Sequence, residues 1–382
     1  MAAAVALAHA GGRPRRASRA ALGAVPSAAA EQRPLRPTIT HTREGRVPIG
    51  DGATMYFREY GNREGVPAVV LHGGPGAGCY ANHARFFDPE AYRIILADQR
   101  GCGASRPRVN EANISGNTLC QLVKDFEVLR SHLNVERWML FGGSFGTTLS
   151  LAYAAAHPHR VSGIVLRGVC LLRREELDWL YRDGVRGGGA GALFPQSWDA
   201  FVGALPPELR YDPVQGYREL LSGARGASAR DAAAGAWLTW GMAVGNGLPG
   251  EEAGIVTFEL DQKGAASVAG AASNADSNGN GEVSGFVAQA ILENWYVARG
   301  GFVADSPLLS RVVDAHSSLR DIPGIVVHGR GDFVCPVRNA YDLAHAWPEP
   351  SVRVVCGGKH SMYHRPVQSA LLDATDELAG LL

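Results

Sequence analysis

The chain repeats a pattern that few folds accept: a short, unbroken apolar run that stops at a glycine-rich loop. Val66–Leu71 (VPAVVL) runs into HGGPGAG, and Tyr92–Ala97 (YRIILA) runs into DQRGCGAS. Apolar runs without polar alternation suggest parallel strands covered on both faces. Between this pair and the next strand lies NTLCQLVKDFEVLRSHL, where Leu119, Leu122, Val123, Phe126 and Leu129 recur at helical spacing. Asn117 or Thr118 is available as its N-cap. WMLFGG then reads as a strand, SFGTTLSLAYAAAHP as a helix ended by Pro158, and VSGIVLRGV as a further strand. Such alternation predicts an α/β fold with a doubly wound, mostly parallel sheet.

Upstream, short β-like runs flank Gly50-Asp51-Gly52, the signature of an antiparallel hairpin at a sheet edge. The rhythm breaks after Val169 and returns with IPGIVVHGRGD, helix-like PVRNAYDLAHAWP, strand-like SVRVVCGGKH and a final helix from about Pro366. The intervening stretch is helical and irregular, as expected of a cap inserted after the middle strands. The expected plan is a leader over residues 1–37, core over 38–171, helical cap over 172–300 and core again over 301–382. Within the cap, residues near 263–285 are rich in Gly, Ala, Ser and Asn and read as a flexible loop. Asp276–Gly281 imitates the opening of a calcium loop, but its twelfth position is Val287 instead of a bidentate Glu. A polar turn is the expectation there, and no metal site is.

Composition narrows the function classes. Lys+Arg and Asp+Glu balance at 37 each, which gives no electrostatic case for nucleic acid or a membrane surface. Six scattered cysteines include no C-x-x-C pair and read as free thiols. The first thirty residues hold no acid and carry Arg13, Arg15, Arg16 and Arg19 after an apolar stretch. That order and composition suit an organelle transit peptide, plastid ahead of mitochondrion; without one, the protein is expected in the cytoplasm.

The chemistry is carried by Gly142-Gly143-Ser144-Phe145-Gly146, a G-x-S-x-G between strand and helix. There the serine stands on a tight turn as a candidate nucleophile. A serine hydroxyl needs a base, an orienter for that base and donors for an oxyanion. Asp332 and His360 follow predicted strands in the order acid then histidine, which puts both on the sheet edge that bears Ser144. His345 lies in a helix-like run and His364 lies past the loop. The backbone N–H of Phe145 and one from His72-Gly73-Gly74-Pro75-Gly76, expected at Gly74, are the candidate oxyanion donors.

Together, HGGPG, DQRGCGAS, GGSFGTTLSLAYA, VHGRGD and GGKHS resemble the proline iminopeptidase family, from about Pro48 to the C-terminus. That resemblance implies an α/β-hydrolase fold and a serine aminopeptidase that releases an N-terminal residue, preferentially proline, from peptides. It implies no cofactor. It also matches Glu293, in ILENWYVARGGF, to the family's amino-group-binding glutamate. The substrate would be a peptide with a free N-terminus. The chain departs from the family where Gly241 follows Trp237-Leu238-Thr239-Trp240 in place of a glutamate, and at Trp295 and Val297 in place of the usual ENHYF. Two other readings remain at this level: a hydrolase of small esters or amides, and a non-catalytic ligand-binding protein on the same fold.

Overall fold

A computed structural model describes residues 22–25, 32–247 and 282–382. Among these, nine strands form one sheet in the order β1-β9-β8-β7-β6-β4-β5-β3-β2. β2 (Arg43–Pro48) and β3 (Thr54–Gly61) make the expected antiparallel hairpin at one edge, with Gly50, Asp51 and Gly52 all at positive φ in its turn. From β5 (Tyr92–Ala97) onward every pairing is parallel, through β4 (Val66–Leu71), β6 (Trp138–Gly143), β7 (Val161–Arg167), β8 (Gly324–Gly329) and β9 (Ser351–Val355). β1 (Leu22–Val25) pairs with β9 at the far edge.

The apolar runs are buried on both sides because each strand serves two cores. Val69 and Leu71, Ile95 and Ala97, and Trp138 and Leu140 face one core, with helices α1 (Leu119–His132) and α2 (Phe145–Ala156). Ala68 and Val70, Ile94 and Leu96, and Met139 and Phe141 face the other, under the C-terminal helix Arg365–Ala379. Period-two alternation thus sorts residues between two apolar layers instead of between core and water. α1 begins where the sequence suggests: the Thr118 hydroxyl accepts from the Gln121 N–H at 3.2 Å.

Between β7 and β8 come the helices Arg174–Tyr181, Pro195–Gly203, Pro213–Leu221, Ala227–Gly245 and Gly285–Ala298, with no strand among the described residues. Their packing is aromatic: Phe201 stacks on Tyr217 at 4.6 Å, and Tyr181 on Trp237 at 4.6 Å. The flexible loop expected near 263–285 lies outside the described residues as far as Gly281, as do Asp276–Gly281 and residues 1–21 and 26–31 of the leader. Before the expected leader boundary at 37, Arg33 and Arg36 already engage Asp373 and Asp376 of the C-terminal helix. Contacts with the core therefore begin upstream of residue 38.

Between β4 and β6 the strand order reverses: the chain runs out to β5 on one side of β4 and returns to β6 on the other. The carboxyl ends of β4 and β6 form the crevice where open α/β sheets place their sites.

Candidate active site

Ser144 occupies that crevice, between the last residue of β6 and the first of α2. Its φ of 56° and ψ of −125° are unusual for a side-chain-bearing residue, and the neighbouring glycines explain how the turn closes. A Cβ added to Gly146 would lie 1.9 Å from the Leu71 carbonyl oxygen, and one on Gly142 would lie 2.2 Å from Ser150 Oγ. α2 can therefore press against β4 and β6 only with hydrogen at both positions.

The two residues expected to serve Ser144 reach it from neighbouring strand ends. His360 Nε2 stands 3.2 Å from Ser144 Oγ, and His360 Nδ1 stands 2.8 Å from Asp332 Oδ2. The other Asp332 oxygen accepts from the Val334 and Cys335 N–H groups at 3.1 and 2.8 Å. Burial alone would raise the Asp332 carboxyl, but the charge and hydrogen bond of His360, with His328 and the Cys335 N–H, outweigh it and hold the carboxyl below its usual range. An ionised Asp332 can only accept, so Nδ1 carries the imidazole proton and Nε2 is free to accept from the serine. His345 and His364 are not part of this arrangement: His345 lies on the helix Arg338–Ala346, and His364 caps the C-terminal helix.

The glycine turn approaches the serine through Gly73, whose following peptide carries the Gly74 N–H expected from sequence. A Cβ on Gly73 would lie 3.2 Å from Ser144 Cβ, whereas one on Gly74 would meet Gly76 N and Ala77 N of its own loop. Gly74, at φ 107°, is where the chain turns away. Among the described residues, no backbone acceptor stands opposite the N–H of Gly73, Gly74 or Phe145.

The helix Gly285–Ala298 closes over both elements. A Cβ on Gly76 would meet Leu292 Cδ1 at 2.8 Å and Gln289 Cα at 3.2 Å, and the Phe145 ring packs edge-on against Tyr296 at 4.9 Å. From the same helix, Glu293 is drawn deep among aromatic residues while keeping part of its surface accessible. Gln289 Nε2 donates to its Oε1 at 2.8 Å, and Trp237 Nε1 donates to its Oε2 at 3.0 Å. Desolvation outweighs both bonds and raises the Glu293 carboxyl to about 7. Trp237 and Trp240 are both core, but they differ in use: Trp240 Nε1 bonds the Leu180 carbonyl, while Trp237 serves Glu293. At Gly241 an added Cβ would meet nothing within 4 Å.

Sequence reasoning missed three participants. Gln289 precedes Glu293 by one helical turn, a spacing that signals an i,i+4 pair. His328 accepts from the Val169 N–H and bonds the Cys335 carbonyl, bracing the loop that holds Asp332. Arg167 is an arginine that follows the apolar run Ile164–Leu166 at the end of β7, and it bonds the His360 carbonyl at 2.9 Å.

Residues 67–365 match the family model described as alpha/beta hydrolase fold. The chain is 40% identical over 344 residues to the proline iminopeptidase of Xylella fastidiosa (strain Temecula1 / ATCC 700964), covering 90% of this chain and 99% of that one. It is 36% identical over 353 residues to the proline iminopeptidase of Arabidopsis thaliana, covering 92% and 83%. Among solved structures it is similar in fold to the proline iminopeptidase of Mycobacterium smegmatis, with a TM-score of 0.52 at 18% identity, covering 88% of this chain and all of that one.

Proposed function

Since the chain belongs to the proline iminopeptidase family of α/β hydrolases, we propose that it is a serine aminopeptidase that releases an N-terminal residue, preferentially proline, from peptides. The observation that carries this reading is a hydrogen-bonded Ser144–His360–Asp332 chain, beside which the helix resting on Gly76 and Phe145 holds the partly buried Glu293 carboxylate.

In this mechanism Ser144 Oγ attacks the carbonyl carbon of the first residue while His360 Nε2 takes the hydroxyl proton. Asp332 holds the imidazole and stabilises the imidazolium that forms. The carbonyl oxygen becomes an oxyanion, which receives the N–H of Phe145 and an N–H of the Gly73–Gly74 turn. Collapse breaks the C–N bond, and His360 returns its proton to the leaving amine. Water, deprotonated by the same imidazole, then releases the first residue from Ser144.

Exopeptidase character requires reading a free, charged amino terminus. Glu293 suits that task because a lone carboxylate in an apolar cap gains most when an ammonium group arrives. In place of the family's second glutamate this chain has Gly241, so Glu293 carries the recognition without it. We read residues 172–300 as the cap and residues 1–37 as a transit peptide, the later part of which, Leu22–Val25 with Arg33 and Arg36, also contacts the core.

The test compares proline and alanine p-nitroanilides with their N-acylated forms, on wild type and Ser144→Ala. Free-amine substrates should be cleaved by wild type alone and preferred over acylated ones. Equal cleavage of both forms would remove the aminopeptidase reading and favour a hydrolase of small esters or amides.

A further inference from the structure

Arg167 stands beside the triad without a part in the mechanism above. The residue is only 8% exposed, forms no ion pair among the described residues, and leaves its Nε without a partner. Burial pushes its guanidinium below its ordinary value, with Asp332 the leading opposing influence. An arginine buried at such cost without a paired carboxylate has no stability rationale of the ordinary kind.

Its contacts converge on the catalytic groups. The Arg167 carbonyl accepts the Ser144 N–H at 2.9 Å, fixing the backbone of the strained turn. Arg167 Nη1 donates to the His360 carbonyl at 2.9 Å and lies 3.4 Å from His360 Nε2. The next residue, Gly168 at φ 59°, lets Asp332 and His360 approach: a Cβ there would lie 3.0 Å from Asp332 Oδ2 and 3.4 Å from His360 Nδ1. One dipeptide at the end of β7 therefore touches all three members of the triad.

The chemistry of the guanidinium adds a second consequence. It offers N–H donors and no acceptor, so the Nε2 edge of His360 faces Arg167 N–H groups as well as the serine hydroxyl. Nε2 has a single lone pair, which it offers to a donor only when unprotonated, and that is the tautomer that accepts the Ser144 proton.

We propose that Arg167 is a positioning residue for the hydrolytic reaction: it ties the His360 loop to β7 and holds the imidazole with Nε2 as acceptor toward Ser144. The inference rests on the reading of Ser144 as nucleophile. Reaction of wild type with a small fluorophosphonate tests that reading by itself, and the comparison with Arg167 variants tests the inference.

In Arg167→Met, the rate of Ser144 labelling and kcat should each fall about 10²-fold while KM stays within about threefold, the pattern of a displaced catalytic group. Arg167→Lys, which keeps a donor and a charge, should retain both within about tenfold. Millimolar guanidinium chloride should accelerate labelling of Arg167→Ala and leave wild type unchanged. An Arg167→Met enzyme that labels within twofold of wild type overturns the proposal. So does a loss that neither lysine nor added guanidinium relieves, because that is what a purely structural arginine would give.

Discussion

At the scale of single residues, the site sets one strained serine against one reluctant carboxylate. Ser144 is held in its unusual conformation by the Arg167 carbonyl, the tight glycines and the start of α2, which keeps its hydroxyl presented to His360. Ser144→Ala should leave the fold intact and reduce hydrolysis by at least about 10⁴-fold, measured as kcat with a free-amine anilide. Glu293 should make substrate binding depend on pH. Its carboxyl is raised from 4.5 to about 7, so its ionised form, the one proposed to bind the substrate's ammonium group, becomes dominant only as pH rises through about 7. KM for a free-amine substrate should therefore fall between about pH 6 and pH 7.5, and Glu293→Gln should abolish that dependence. The same shift costs stability. Folded protein binds the Glu293 proton more tightly than the unfolded chain does, so the penalty is absent below pH 4.5, grows as pH rises and is complete above about 7. Glu293→Gln should accordingly unfold at higher denaturant than wild type at pH 8, by up to about 3 kcal/mol, with the gain vanishing near pH 4.5. An unchanged midpoint at pH 8 would mean that the carboxylate is better solvated than its setting suggests.

At the scale of elements, what could be read in the sequence was local and what could not was distant. β4, β5, β6 and α2 were legible because their apolar runs and glycine stops fall within a few residues of one another. Asp332 and His360 were legible for a related reason: in a parallel sheet, residues just past strand ends share one edge. Arg167 gave almost no signal, since an arginine ending a strand normally reaches water, and only the arrival of His360 from 193 residues away makes it otherwise. Two glycines make opposite predictions about their helices. Gly146→Ala would drive a methyl group into the Leu71 carbonyl, and should lower stability by more than about 2 kcal/mol and lose activity with it. Gly241→Ala, in the open interior of the helix Ala227–Gly245, should instead raise stability by about 0.5–1 kcal/mol, read from the denaturation midpoint.

At the scale of the whole molecule, the two ends of the chain are joined. Arg33 and Arg36 reach Asp373 and Asp376 more than 330 positions later, and the Gln368 side chain donates to the Arg33 carbonyl at 2.7 Å. These ion pairs are half-exposed, so their net worth is small, about 1 kcal/mol together. A protein beginning at Gln32 lacks β1 but keeps these pairs, whereas one beginning at Thr38 loses them too and should melt about 2 °C lower than the first, measured by calorimetry. The cap is tied to the core more tightly still, because the helix that carries Glu293 also rests on Gly76 and on Phe145. A chimera that takes this cap from a relative with another taste in peptides would therefore inherit a new seat for the proposed oxyanion donors as well. Selectivity and turnover would drift together in such grafts, and restoring speed would call for second-site changes at the Gln289–Leu292 seam instead of within the triad.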